Sequence, residues 1–265
     1  MTPDLRAELV RISRAVGDAA RDETLRHFRS SALQADSKLE DGFDPVTVAD
    51  RDAETAMRRV IEAERPQDGI LGEEFPEKPT QSGLTWVLDP IDGTRGYVSG
   101  TPTWGTLVAL HDGSQPVLGM IDQPFIGERF LGGLGEARYS GPAGDGPLAT
   151  SLVRDLAEAT IFTTFPELGS PQEADAFSDV AARCKLTRYG MDCYAYALLA
   201  AGQIDLVIEA GLQAYDIQAP IAVVEAAGGI LTDWQGGPAD QGGRALAAAT
   251  PELHAAALNI LATHV

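Results

Sequence analysis

Residues 86–94 read Trp-Val-Leu-Asp-Pro-Ile-Asp-Gly-Thr, and this run limits the possible folds more than any other stretch. Trp86-Val87-Leu88 predicts a β-strand whose end carries two carboxylates, Asp89 and Asp92. Pro90 removes a backbone donor and Gly93 permits a tight turn, so both acids can be folded toward one point at the mouth of a sheet. Carboxylates crowded in this way repel one another and resist ionising. Divalent cations relieve the repulsion, and hard oxygen ligands of this kind suit Mg²⁺. Two cations about 3.5–4 Å apart are a clamp for hydrolysing a phosphate ester. Gly93 and Thr94 open the next segment, where free backbone N–H groups can hold a phosphate.

The rest of the chain supplies alternating helices and strands. Leu5, Leu9, Ile12 and Val16 mark an amphipathic N-terminal helix, and Ala53, Met57, Val60 and Ile61 mark a second over 51–64, stopped by Pro66. Ile70-Leu71 is a short apolar step. Two apolar runs, Thr106 to Leu110 and Val117 to Ile121, flank Asp112-Gly113-Ser114 and predict a hairpin between Trp104 and Asp122. Helices are expected over 173–183, 193–201, 217–227 and 252–262, and strands at 206–208 and 230–232. Gly228-Gly229 would close the third of those helices. The glycine-rich stretch Gly132 to Gly146 is the natural boundary between two halves. The expectation is an α/β layered fold with a mixed sheet, divided into an N-terminal metal-binding α+β subdomain (1–140) and a C-terminal α/β subdomain (141–265) that completes the site.

Composition narrows the function. With 39 acidic against 20 basic side chains the net charge is −19, which argues against nucleic-acid and anionic-membrane partners. No run of 18 apolar residues offers a membrane span. Asp4, Arg6, Glu8, Arg11, Arg14 and Asp18 argue against a secretory signal. Cys184 and Cys193 give neither a disulfide framework nor metal-ligand spacing, so reduced thiols in a cytoplasmic protein are expected. His27, His111, His254 and His264 lie outside every motif, and Gly-x-Ser-x-Gly is missing, which argues against a Ser or Cys triad. Asp89 and Asp92 stand three apart, unlike the Asp-x-Asp of aspartyl-phosphate enzymes, so a nucleophilic aspartate is disfavoured.

Three further places put acids beside turn chemistry: Asp50 after Pro45-Val46-Thr47, Glu73-Glu74 after Gly72, and Tyr215-Asp216 at a helix start. Taken singly, Asp50 and Asp216 could be helix caps, and Glu73-Glu74 a solvated loop. In combination, Gly72-Glu73-Glu74, the Asp89 to Thr94 run, Tyr215-Asp216 and Gly228-Gly229 follow the order and spacing of the inositol monophosphatase superfamily, which the chain resembles over nearly its whole length. Within it, Asp92-Gly-Thr-Arg-Gly-Tyr97, Trp104-Gly-Thr-Leu107, Ile121-Asp-Gln-Pro124 and Arg188 to Tyr194 look most like histidinol-phosphate phosphatases.

The resemblance implies an α-β-α-β-α sandwich of the inositol monophosphatase and fructose bisphosphatase type. It also implies a first Mg²⁺ on Glu73, Asp89 and the Ile91 carbonyl, a second on Asp89, Asp92 and Asp216, and a weaker third leaning on Glu73. A metal-bound water, its proton drawn toward Glu73 with help from Thr94, would attack phosphorus in line, the second metal would offset charge on the leaving alkoxide, and the Gly93 and Thr94 amides would hold phosphate oxygens. Asp44 and Asp50 would support a metal indirectly, with Lys38 nearby. Tyr215 stands where tryptophan is more usual. Asp192 and Glu209 would read the cationic leaving group, although Glu209 ends a strand and Asp192 could cap a helix. Arg188 is open between substrate contact, salt bridge and subunit contact. The expected activity is Mg²⁺-dependent hydrolysis of histidinol phosphate in histidine synthesis, with millimolar lithium inhibition and a homodimer implied by the family. The alternatives are the same chemistry on inositol monophosphate, a fructose phosphate or a nucleotide 3′-phosphate, and a non-catalytic regulator that keeps the metal-binding fold.

Overall fold

The computed structural model describes residues 1–31, 35–37 and 45–264, so Lys38 and Asp44 lie outside the described residues. Helix α1 (Pro3–His27) opens on Thr2, whose hydroxyl accepts from the Leu5 amide at 3.3 Å, with Pro3 in its first turn. A short antiparallel pair, β1 (Ala35–Ser37) and β2 (Pro45–Thr47), leads into α2 (Val48–Glu64). A seven-stranded sheet follows, built in simple sequence order from β3 (Gly69–Gly72), β4 (Thr85–Asp92), β5 (Gly105–His111), β6 (Pro116–Gln123), β7 (Glu128–Gly133), β8 (Glu136–Gly141) and β9 (Gly144–Pro147). The short helix α3 (Thr94–Ser99) sits between β4 and β5. All neighbours in this sheet are antiparallel except β3 and β4.

The second sheet has five strands in the order β11-β10-β12-β14-β13: β10 (Thr160–Thr163), β11 (Leu186–Tyr189), β12 (Leu206–Leu212), β13 (Ile230–Thr232) and β14 (Gly243–Ala248). Helix α4 (Pro171–Ala181) joins β10 to β11, α5 (Cys193–Ala200) precedes β12, α6 (Ala214–Ala226) joins β12 to β13, and α7 (Pro251–Leu261) ends the chain.

Side-chain alternation stacks these elements into the expected α-β-α-β-α sandwich. On β4, Trp86 and Leu88 face α1 and α2, packing with Leu9, Ile12, Met57 and Ile61. Val87 points the other way and joins Leu107, Ile121 and Phe130 against α5 and α6. The second sheet repeats the pattern: Val207 and Ala247 face α5 and α6, while Leu206, Ile208 and Leu246 face α4 and α7. Helices α5 and α6 are therefore the filling between two sheets, and both read as apolar nearly all round.

The glycine-rich stretch 132–146 is not an open linker. It forms the turns and strands β7 to β9, and the chain leaves the first sheet only at Pro147. Part of its glycine content serves packing instead of turning. A Cβ on Gly132 would lie 2.5 Å from the Val223 Cα, and one on Gly119 would lie 2.3 Å from the Ala219 carbonyl oxygen, so both glycines let α6 sit directly on β6 and β7.

Candidate active site

The strand predicted at 86–88 runs on to Asp92, and its pairing with β5 slips between Asp89 and Asp92. The slip bends the chain so that both carboxylates turn into one cavity of about 380 Å³. Local hydrogen bonds hold the bend. Asp89 Oδ1 accepts from the Ile91 amide at 3.0 Å, the Thr94 hydroxyl donates to the Ile91 carbonyl at 3.0 Å, and the Thr106 hydroxyl donates to the Pro90 carbonyl at 2.8 Å. Gly93 takes φ +83°, a left-handed conformation, and a Cβ there would lie 2.8 Å from Asp192 Cγ.

The remaining acids arrive from other elements. Asp216 is the third residue of α6, where its carboxylate accepts from the Gln213 amide at 2.7 Å in a capping box. The bland reading of Asp216 as a capping residue therefore holds together with its place in the site. Glu73 follows β3, lines the cavity and hydrogen-bonds Asp89. Behind it, buried Glu54 of α2 accepts from the Glu74 amide at 2.7 Å and from Arg58 Nε at 2.7 Å, which ties the Glu73-Glu74 peptide to the helix layer. Asp50 is buried and accepts from the Thr47 amide and hydroxyl at 2.8 and 2.6 Å. It caps α2 and does not line the cavity, and burial lifts its carboxyl to about 7.

Asp89, Asp92 and Asp216 each offer an oxygen within 4.8 Å of the other two. Burial, followed by repulsion from Glu73, Asp92 and Asp216, holds Asp89 well above the usual carboxylate range. Asp92 is raised for the same reasons, by burial and then by Asp192 and Asp216, although the Cys193 amide donates to it at 2.6 Å. An oxygen-only donor set with this much unrelieved repulsion fits hard divalent cations. A second group of donors, Glu23, His27 and Asp52, meets on the outer helices, where Arg26 already pairs with Glu23 and His27 faces Asp52.

Asp192 and Glu209 also line the cavity, Asp192 beside Gly93 and Asp92. Asp192 precedes α5 at φ +47° and makes no side-chain cap bond, so the capping alternative for it is removed. Its carboxyl rises to about 6 through burial, against the opposing pull of Arg95. Glu209 on β12 is buried and accepts from the Thr164 amide at 2.7 Å and from the Thr164 and Thr163 hydroxyls at 2.8 and 3.2 Å. Burial still lifts it to about 7. Arg188 is a correction to the sequence reading. It is exposed on edge strand β11 and does not line the cavity, because its strand pairs at the outer side of β10.

Several lining residues escaped sequence reasoning. Arg95 lies with its guanidinium 5.0 Å from the ring centroid of Phe165 at the rim, and Thr164 and Tyr196 complete the wall. Arg95 stood next to the motif and could have been suspected; Phe165, Thr164 and Tyr196 carry no local signal.

The sequence model of the inositol monophosphatase family matches residues 5–265, and the chain belongs to that family. Members are metal-dependent phosphomonoesterases, and this protein is a phosphoric monoester hydrolase. The chain is 41% identical over 228 residues to the chloroplastic bifunctional phosphatase IMPL2 of Arabidopsis thaliana, covering 85% of this chain but 64% of that protein. It is 34% identical over 236 residues to a histidinol-phosphatase of Chlorobaculum parvum, covering 89% and 88% of the two chains. A solved inositol monophosphatase from Zymomonas mobilis superposes with a TM-score of 0.83 at 39% identity, covering 96% and 97%. Among the described residues, no helix is long and apolar enough to cross a membrane.

Proposed function

We propose that the enzyme hydrolyses histidinol phosphate to histidinol and phosphate, a step of histidine synthesis, using two to three Mg²⁺ ions. The observation that carries this reading is that two further acids, buried Glu209 and part-buried Asp192, line the same cavity as the metal-site carboxylates. The metal-site acids suit cations and a phosphate, and the two further acids suit the ammonium of an amino alcohol. The name of the Chlorobaculum relative, a histidinol-phosphatase, supports the same class of substrate.

Glu73, Asp89, Asp92, Asp216 and the Ile91 carbonyl would hold the Mg²⁺ ions, which supply Lewis acidity toward the phosphate and toward water. Glu73 and the Thr94 hydroxyl orient the attacking water, with Glu73 accepting its proton. The amides of Gly93 and Thr94, at the start of α3, hold phosphate oxygens in place. Asp192 and Glu209 orient the alcohol through its ammonium group. The same proposal includes a cytoplasmic homodimer inhibited by millimolar lithium.

The second reading, inositol monophosphate as substrate, is favoured by the likeness to the Zymomonas enzyme. Side-by-side kcat/KM values with Mg²⁺ decide between them. The proposal expects histidinol phosphate to exceed inositol phosphates, fructose phosphates and nucleotide 3′-phosphates by a wide margin, and a flat profile would end it.

A further inference from the structure

Besides its acids, the active-site cavity is lined by the apolar side chains of Phe165, Leu168, Leu212 and Tyr215. Three of these are engaged in packing. Leu168 is 2% exposed and joins Ile161 and Phe177 on the α4 side of the second sheet, and Leu212 and Tyr215 pack against the cluster around α5 and α6. Phe165 differs. It is 42% exposed and belongs to none of the apolar clusters. Among the described residues it is the one large exposed apolar side chain that lines this cavity. Isolated wet phenyl rings are common on protein surfaces, but this one stands in the wall of a cavity, where a bound ester would cover it.

The ring is also held in place. Its neighbour Thr164 donates through its amide and hydroxyl to Glu209 at 2.7 and 2.8 Å, and buried Leu168 anchors the loop three residues later. Pro166 between them restricts the backbone. The Arg95 guanidinium lies 5.0 Å from the ring centroid, so a side chain from the first turn of α3 lies over the ring. A flat apolar surface ordered in advance loses little entropy when a ligand binds. Its preferred partner is a second aromatic ring, stacked with an offset or edge to face, which gains more than apolar contact alone provides. A polyol offers no such face.

We infer that Phe165 is a specificity-determining residue whose ring stacks on a flat aromatic ring in the alcohol part of the phosphate ester. The substrate class is then phosphate esters of alcohols that bear an aromatic ring, as against polyol phosphates. The inference rests on the reading proposed above for the identity of that alcohol, since the imidazole of histidinol is such a ring. Phe165 meets the alcohol part and not the reacting atoms, so its contact is the same in the ground state and the transition state. It therefore acts on KM and leaves kcat alone.

Phe165→Leu tests this in the full-length enzyme with Mg²⁺, on benzyl phosphate and cyclohexylmethyl phosphate, two esters that differ in whether the ring is aromatic. The expected result is a rise of about three- to tenfold in KM for the benzyl ester and of less than about twofold for the cyclohexylmethyl ester, because leucine keeps the apolar contact. The kcat values should stay within about twofold on both. Phe165→Tyr, which retains the ring, should keep the wild-type KM for benzyl phosphate. Phe165→Leu should melt with the wild type, since the side chain is in no apolar cluster. Equal changes in KM on the two esters, no change on either, a loss confined to kcat, a lower melting temperature, or a wild type that does not turn over benzyl phosphate would each overturn the inference. Neither ester carries an ammonium, so the outcome is separate from the roles of Asp192 and Glu209. A wild type that fails to prefer histidinol phosphate ends the proposed function and leaves this ring selectivity to be read by itself.

Discussion

The seven-stranded sheet buries aspartates in two ways. On the α1 side, Asp122 is fully buried and held by Arg21 at 2.6 Å and by Arg129 at 2.7 Å, with Arg129 also reaching Asp18 at 2.8 Å. At the end of β4, Asp89 is equally hidden at 2% exposure, but the charges that reach it are Glu73, Asp92 and Asp216. The first arrangement is balanced by its own arginines, whereas the second leaves acid facing acid. A buried acid paired with arginine ties α1 to the sheet; a buried acid among acids marks a site that stores repulsion for a ligand to relieve.

The sharpest way to break this contrast is Asp89→Asn. Turnover should fall by roughly 10³-fold, while the metal-free protein melts no lower than wild type because a repelling charge has gone. Near-normal kcat would remove Asp89 from the chemistry. Asp122→Ala should do the reverse. It leaves Arg21 and Arg129 short of their partner and should cost about 3 kcal/mol in denaturant unfolding, with kcat of the folded protein unchanged. A large kcat loss at unchanged stability would mean that Asp122 serves the site.

Glu209→Gln should lower kcat/KM for histidinol phosphate by roughly 10–100-fold, the value of about 1.5–3 kcal/mol for a hydrogen bond to a charged group. The same variant should hydrolyse p-nitrophenyl phosphate nearly as well as wild type. Equal losses on both would place Glu209 with the metal acids instead.

The same contrast can be read from stability against pH. Glu209 rises from 4.5 to about 7 and Asp50 from 3.8 to about 7 on folding. The folded protein therefore holds these protons more tightly than the unfolded chain does. That stabilisation is complete below the unfolded values and is lost as pH climbs toward about 7. Without divalent cations, the melting temperature should drop between about pH 5 and about pH 8. Mg²⁺ should restore more at the higher pH, because its ligands must be deprotonated. A flat profile in calorimetry would show that these protons are not retained.

Much of the site was legible because the covalent chain itself assembles it. Asp89, Ile91, Asp92, Gly93 and Thr94 lie within one strand end and one turn, so proximity needs no tertiary contact. The helices and the β5–β6 hairpin were legible for the same local reason: capping, periodicity and the Asp112 turn, whose carboxylate accepts from the Ser114 amide at 2.9 Å. The glycines at 119 and 132 were not, since their use depends on a helix that arrives about ninety residues later.

The sequence by itself determined the layered α/β class, the carboxylate chemistry and the fact that Asp216 and Glu73 belong with Asp89, the last through family resemblance. Only the tertiary structure decided that Arg188 stays outside on an edge strand, that Asp192 turns inward without capping α5, and that the Tyr196 hydroxyl is buried with no hydrogen-bond partner among the described residues. The reason is physical. A motif fixes neighbours along the chain, while the partners of a side chain on a central helix are set by which faces of two sheets close over it.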